Sequence, residues 1–75
     1  MKLNVFIGLF SSYDKVVIQD ITGGTIYREL HDGYIKDINM SEYDMEEYFV
    51  VQSRVFDNGL MILVKENNII YREQI

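Results

Sequence analysis

The residues with chemistry to offer are few. His31 is the one histidine, there is no cysteine, and the 75 residues carry twelve carboxylates and six tyrosines. A nucleophilic triad would need a serine or cysteine held by His31 and a third group to orient the ring. His31 stands between Leu30 and Asp32, and neighbouring side chains of a strand point to opposite faces, so the His-Asp step makes no dyad. Asp32, Asp37, Asp44 and Glu47 offer oxygen ligands, but not in the twelve-residue spacing of a calcium loop. Gly23-Gly24 lacks the following lysine and hydroxyl residue of a phosphate cradle, and no HExxH or GxGxxG occurs. Without cysteine there is neither a thiolate zinc site nor a disulfide. The expectation is a non-catalytic protein with no cofactor and no metal, whose business is binding.

Charge says where. The formal net charge is −5, and residues 29–47 hold seven acids against Lys36 alone. The remaining chain has five acids and six bases. Such a stretch suits a basic protein surface and argues against direct nucleic-acid binding, which needs lysine and arginine on phosphates. Tyrosine beside acid makes a protein-facing surface: rings supply area at low entropy cost and carboxylates steer the encounter. The expected partner-binding set is Tyr34, Asp37, Glu42, Tyr43, Asp44, Glu46 and Glu47. The plainer explanation of the acids is solubility.

A rival set comes from an internal echo. Ile26-Tyr27-Arg28-Glu29 recurs as Ile70-Tyr71-Arg72-Glu73. Tyr27, Arg28, Tyr71 and Arg72 would suit a small molecule or nucleotide signal, with rings stacking and guanidinium groups gripping phosphate. Convergence of two strands on β-favouring residues is the plainer explanation of the echo. A third reading is a homo-oligomeric building block, with Ile69–Tyr71 pairing with its own copy.

The elements that must position these residues follow from spacing. Leu3, Phe6, Ile7 and Phe10 recur at helical intervals, whereas a strand over residues 3–10 would waste both phenylalanines. Lys15–Ile21 and Thr25–Leu30 read as strands around Thr22-Gly23-Gly24, with a turn at Gly33. Ser41 and the acids after it resemble a helix start. Tyr48–Phe56 alternates, with Phe49, Val51, Ser53 and Val55 on the inner face. Asp57-Asn58-Gly59 is a hairpin signal, Leu60–Lys65 returns, and Ile69–Glu73 closes a meander. The expected core is Phe6, Ile7, Phe10, Val16, Ile18, Phe49, Val51, Val55, Ile62 and Val64. The predicted fold is α+β: a short N-terminal helix packed on a curled antiparallel sheet of about five strands, in two hairpin-type units, forming one domain over residues 1–75 with an acidic connecting segment at 29–47.

A composition 48% apolar and 25% charged is that of a folded chain rather than a disordered one. No apolar run approaches the roughly 20 residues of a membrane span, and Met1–Phe10 lacks a signal peptide's cleavage pattern. A cytoplasmic protein without a membrane partner is expected.

Ser-Tyr-Asp-Lys-Val-Val-Ile after the first helix, Ile-Tyr-Arg closing the first hairpin, and Phe-Asp-Asn-Gly-Leu-Met-Ile-Leu-Val in the last together resemble the small uncharacterised proteins of phages and prophages of Gram-positive bacteria. The resemblance spans Leu3–Phe10, Asp14–Arg28 and Val50–Val64, all structural residues, and leaves the acidic segment uncovered. It implies a viral or mobile-element setting in a bacterial host cytoplasm, where a short acidic protein would obstruct a host protein such as a defence nuclease.

Overall fold

One sheet holds all four strands among the described residues. The computed structural model describes residues 1–24, 27–38, 47–57 and 59–66. In these lie α1 (Leu3–Ile7), β1 (Lys15–Asp20), β2 (Arg28–Tyr34), a 3-10 turn (Ile35–Asp37), β3 (Tyr48–Phe56) and β4 (Gly59–Glu66). The strand order is β2-β1-β4-β3. The apolar runs Val16-Val17-Ile18 and Leu60–Val64 occupy the two central strands, which are flanked on both sides. The polar β2 takes one edge and β3 the other.

Both expected hairpins form. β1 pairs antiparallel with β2, and β3 with β4. They join, however, through a parallel pairing of β1 with β4, from Val16 opposite Leu60 to Asp20 opposite Val64. The sheet is therefore mixed and open, with four strands among the described residues, and not a curled antiparallel sheet of five. β4 has β1 on one side and β3 on the other, so it has no edge left for a third meander strand. The expected strand Ile69–Glu73 and the expected helix start at Ser41 lie outside the described residues. β2 also runs on through Gly33, where a turn was expected, to Tyr34.

The helix at the N-terminus is present but short. Gly8 closes it, and Leu9 and Phe10 donate back three residues, to Phe6 and Ile7. Ser11 and Asp14 then form a tight turn: the Ser11 N–H donates to Asp14 Oδ2 at 2.9 Å, and the Asp14 N–H to the Ser11 carbonyl at 3.0 Å. That turn aims the chain into β1. At the other end of β1, the turn at Thr22-Gly23-Gly24 carries Gly24 at φ 82°, and its N–H donates to the Ile21 carbonyl at 3.0 Å. Glycine is suited to that left-handed conformation.

The core consists of Leu3, Val16, Ile18, Tyr48, Ile62 and Val64, with Phe6, Ile7, Leu30, Ile35, Ile38, Val50 and Leu60 packed around it. The inner face of β3 differs from the expected one. Tyr48 and Val50 point inward, and a bulge between Val50 and Gln52 inserts Val51. A shift of one residue exchanges the faces of a strand. Val51 is consequently exposed and Phe49 only half-buried. Val55 lies opposite Leu60 but is 86% exposed, because α1 covers only the start of β3. Phe10, also expected inside, is 38% exposed and meets Phe6 edge-on at 5.2 Å between ring centres.

Two consequences can be measured by urea denaturation. Leu3 is fully buried, so Leu3→Ala should cost about 3 kcal/mol. Phe10→Ala should cost only about 1 kcal/mol, as for a half-exposed side chain. Equal losses would place Phe10 in the core.

Gly59 sets the second test. A Cβ at this position would lie 2.5 Å from the Lys15 carbonyl oxygen and 3.1 Å from its carbonyl carbon. Both obstacles are backbone, so β1 and β4 would have to part where their pairing begins. Gly59→Ala should therefore destabilise the domain by roughly 2 kcal/mol or more. An unchanged urea midpoint would show that the two strands are not this close.

Candidate functional site

One charged side chain is buried among the described residues, and it sits where the four strands converge. Asp20 ends β1 at 6% exposure. Its Oδ1 accepts from the Thr22 N–H at 2.9 Å and from the Thr22 hydroxyl. Its Oδ2 faces Arg28 at 3.3 Å across the first hairpin. The same guanidinium nitrogen donates to the Tyr48 hydroxyl at 3.1 Å, at the start of β3. The Thr22 hydroxyl oxygen accepts from the Glu66 N–H at 2.9 Å, at the end of β4. A buried carboxylate needs such partners, since an unpaired one would be strongly unfavourable.

This network bears on the Tyr27, Arg28, Tyr71, Arg72 set. Tyr27 is exposed, and one Arg28 nitrogen, Nη2, meets both Asp20 and Tyr48 while the side chain stays 65% exposed. Tyr71 and Arg72 lie outside the described residues. Tyr48, read from the sequence as structural, is buried with its hydroxyl satisfied.

Burial, followed by the nearby Asp20 charge, raises the Tyr48 phenol above its ordinary value, while Arg28 pulls the other way. The folded state thus holds this proton after the unfolded chain has lost it. Its contribution to stability is complete below the ordinary phenol value of 10.0 and is lost as pH rises through the higher folded value. Urea midpoints compared between wild type and Tyr48→Phe should diverge less above pH 10 than below it. A difference independent of pH would contradict the shift.

The opposite end of the sheet carries a groove. Phe10, Tyr13, Lys15, Tyr34, Val55 and Leu60 line most of an open depression of about 550 Å³. The Lys15 and Lys36 ammonium groups lie 5.4 and 5.8 Å from the Tyr34 ring centre, and Lys36 is also 5.4 Å from that of Tyr13. These are cation–π distances. The His31 Nε2–H donates to the Tyr34 carbonyl at 2.9 Å, which fixes the end of β2. His31 therefore has a structural partner. Sequence reasoning missed this groove, because Phe10 and Val55 had been expected in the core and the lysines carry no motif.

The acidic set divides. Asp37 ends the 3-10 turn that follows Tyr34, and Asp32 lies two residues before Tyr34 in β2. Glu29 stands nearer the start of that edge strand. Glu47 adjoins the start of β3, on the opposite edge of the sheet. All four carboxylates are exposed, and none makes an ion pair among the described residues. Tyr34 and Asp37 are thus brought together, whereas Glu47 is not. Glu42, Tyr43, Asp44 and Glu46 lie outside the described residues.

Among the described residues, no group of three His, Asp or Glu is placed to hold a metal ion, and no helix is long and apolar enough to cross a membrane. Comparison with protein-family models, with curated proteins and with solved structures finds no match to this chain.

Proposed function

We propose that this chain is a non-catalytic acidic interaction protein that engages the basic surface of a partner protein. The observation that carries the reading is the β2 edge. Glu29 and Asp32, with Asp37 just beyond, stand exposed and unpaired among the described residues along one border of the sheet. Unpaired surface carboxylates steer a basic partner without loss of an internal contact. Tyr34 adds a half-exposed ring, oriented by two lysines, beside them. The setting implied by the phage and prophage resemblance supplies a role for such a surface: obstruction of a host protein, with a defence nuclease as one candidate, in the bacterial cytoplasm.

Glu29→Gln, Asp32→Asn and Asp37→Asn together should leave the circular dichroism spectrum and urea midpoint unchanged. Capture of partner from Gram-positive cell lysate should fall, and the association rate with the captured partner should drop about tenfold at low salt. Undiminished capture and an unchanged rate would reduce the acids to a solubilising role.

A second reading, as a small-molecule binder, is favoured by the groove. Its volume lies within the usual range for ligand sites, and its lining sets aromatic rings beside Lys15, Asp14 and Asp57, which suits a small polar molecule with an aromatic part. Lys15→Ala separates the two readings. It should weaken binding of a small molecule in the groove and leave protein capture intact.

A further inference from the structure

The helix and the 3-10 turn pack on one face of the sheet, where Leu3 and Ile35 meet the side of Val16, Ile18, Ile62 and Val64. The strand residues between these core positions point to the opposite face, since successive side chains alternate. The pairings align them into rows across all four strands. One row runs Asp32, Val17, Met61, Arg54, and the next Glu29, Gln19, Leu63, Gln52. Val17, Met61 and Leu63 at the centre are half-buried, whereas Asp32, Glu29, Arg54 and Gln52 at the rims are exposed. A depression of about 220 Å³ opens on this face, with Asp32, Val17 and Phe56 in its lining. An apolar centre within a polar rim is the anatomy of a protein interface.

The two rims carry opposite charge, acid on β2 and Arg54 on β3. We propose that two copies of the chain pack this face against itself, as a two-layer sandwich about a two-fold axis parallel to the strands. Such an axis keeps each level along the strands and exchanges the edges, so β2 of one copy lies over β3 of the other. The row Asp32, Val17, Met61, Arg54 then meets its own reverse. Asp32 of each copy faces Arg54 of the other, and Val17 faces Met61. In the adjoining row Glu29 faces Gln52 and Gln19 faces Leu63. An axis across the strands would instead lay β2 on β2, carboxylate over carboxylate. Aligned sheets cross at about 30°, which displaces the rim positions by roughly 4 Å, within the reach of an arginine. Lys15 and Lys65 stand at the two ends of the strip and are exposed, so their ammonium groups reach water. Four strands about six residues long make a face of roughly 19 by 20 Å, small for a stable interface, so the dimer dissociates on dilution. Asp37 and the outward edge of β2 stay open to a foreign basic surface.

Charge reversal at the rims tests the pairing. Asp32 and Arg54 of one chain lie on opposite edges of the sheet, three strand spacings or about 14 Å apart, so reversal breaks no ion pair within a chain. By sedimentation equilibrium the wild type should rise with concentration from 8.9 kDa toward twice that mass. Asp32→Arg sets guanidinium against guanidinium at both contacts of the dimer, and Arg54→Asp sets carboxylate against carboxylate. Each variant alone should dimerise at least about tenfold more weakly than the wild type. Both side chains are exposed, so both variants should keep the wild-type urea midpoint. An equimolar mixture of the two should regain wild-type association, because a guanidinium then meets a carboxylate at both contacts. A wild type that stays monomeric at millimolar concentration would overturn the proposal. So would association that survives either reversal, or that the mixture does not restore. NOEs joining the Met61 and Leu63 side chains to residues 67–75 in a monomer would overturn it too, by giving this face to the chain's own residues.

Discussion

The parallel pairing of β1 with β4 holds this domain together. Each hairpin is a local structure, and a two-stranded hairpin alone is at best marginal in water. Set side by side, they share one apolar face. Four of the six core side chains, Val16, Ile18, Ile62 and Val64, come from that seam. One end of it depends on the bare backbone of Gly59 against Lys15. The other is fastened by the Ile21 N–H to the Val64 carbonyl at 2.8 Å and by the hydroxyl of Thr22 under Glu66. Asp20 belongs to the same fastening, because it orients Thr22 and draws in Arg28 and Tyr48 from the two outer strands.

This arrangement decides which surfaces remain for function. The central strands are occupied on both sides, so recognition falls to the edges, the ends and the outer face of the sheet. The edges have opposite characters. β2 offers exposed carboxylates, and β3 beyond its bulge offers apolar side chains and a single arginine. The buried polar network at the Asp20 end has each described polar group partnered within the fold. The groove at the Lys15 end has exposed rings and ammonium groups instead.

Much of this was readable from residue patterns, and the failures have definite causes. The bounds of β3 and the turn before β4 followed from alternation and from Asp57-Asn58-Gly59. The α1 helix followed from its spacing, although Gly8 ended it early. The inner face of β3 was misread because Phe49, Val51 and Val55 outweigh Tyr48 and Val50 in hydrophobicity, and a bulge leaves no mark in composition. The parallel seam had no distinctive signal: Val16-Val17-Ile18 and Leu60–Val64 are apolar at successive positions, but so is Tyr48–Val51 at the start of an edge strand. Hairpin signals are local and do not say which strands of two hairpins meet. Gly59 looked like a turn residue, yet the constraint on it is tertiary. Of the expected site, the exposure of Asp37 and Glu47 followed from charge. Their separation onto opposite edges did not, since it depends on strand order. The contacts of Arg28 with Asp20 and Tyr48 were not legible, because nothing local announces them.

The seam itself is the most direct thing to measure. Backbone amide and α-proton NOEs in solution report strand direction and register without any substitution. The account predicts contacts joining Val16–Asp20 to Leu60–Val64 in parallel, together with slow amide exchange along both strands. Contacts from Leu60–Val64 to β3 alone, with β1 exchanging as fast as an edge strand, would contradict it.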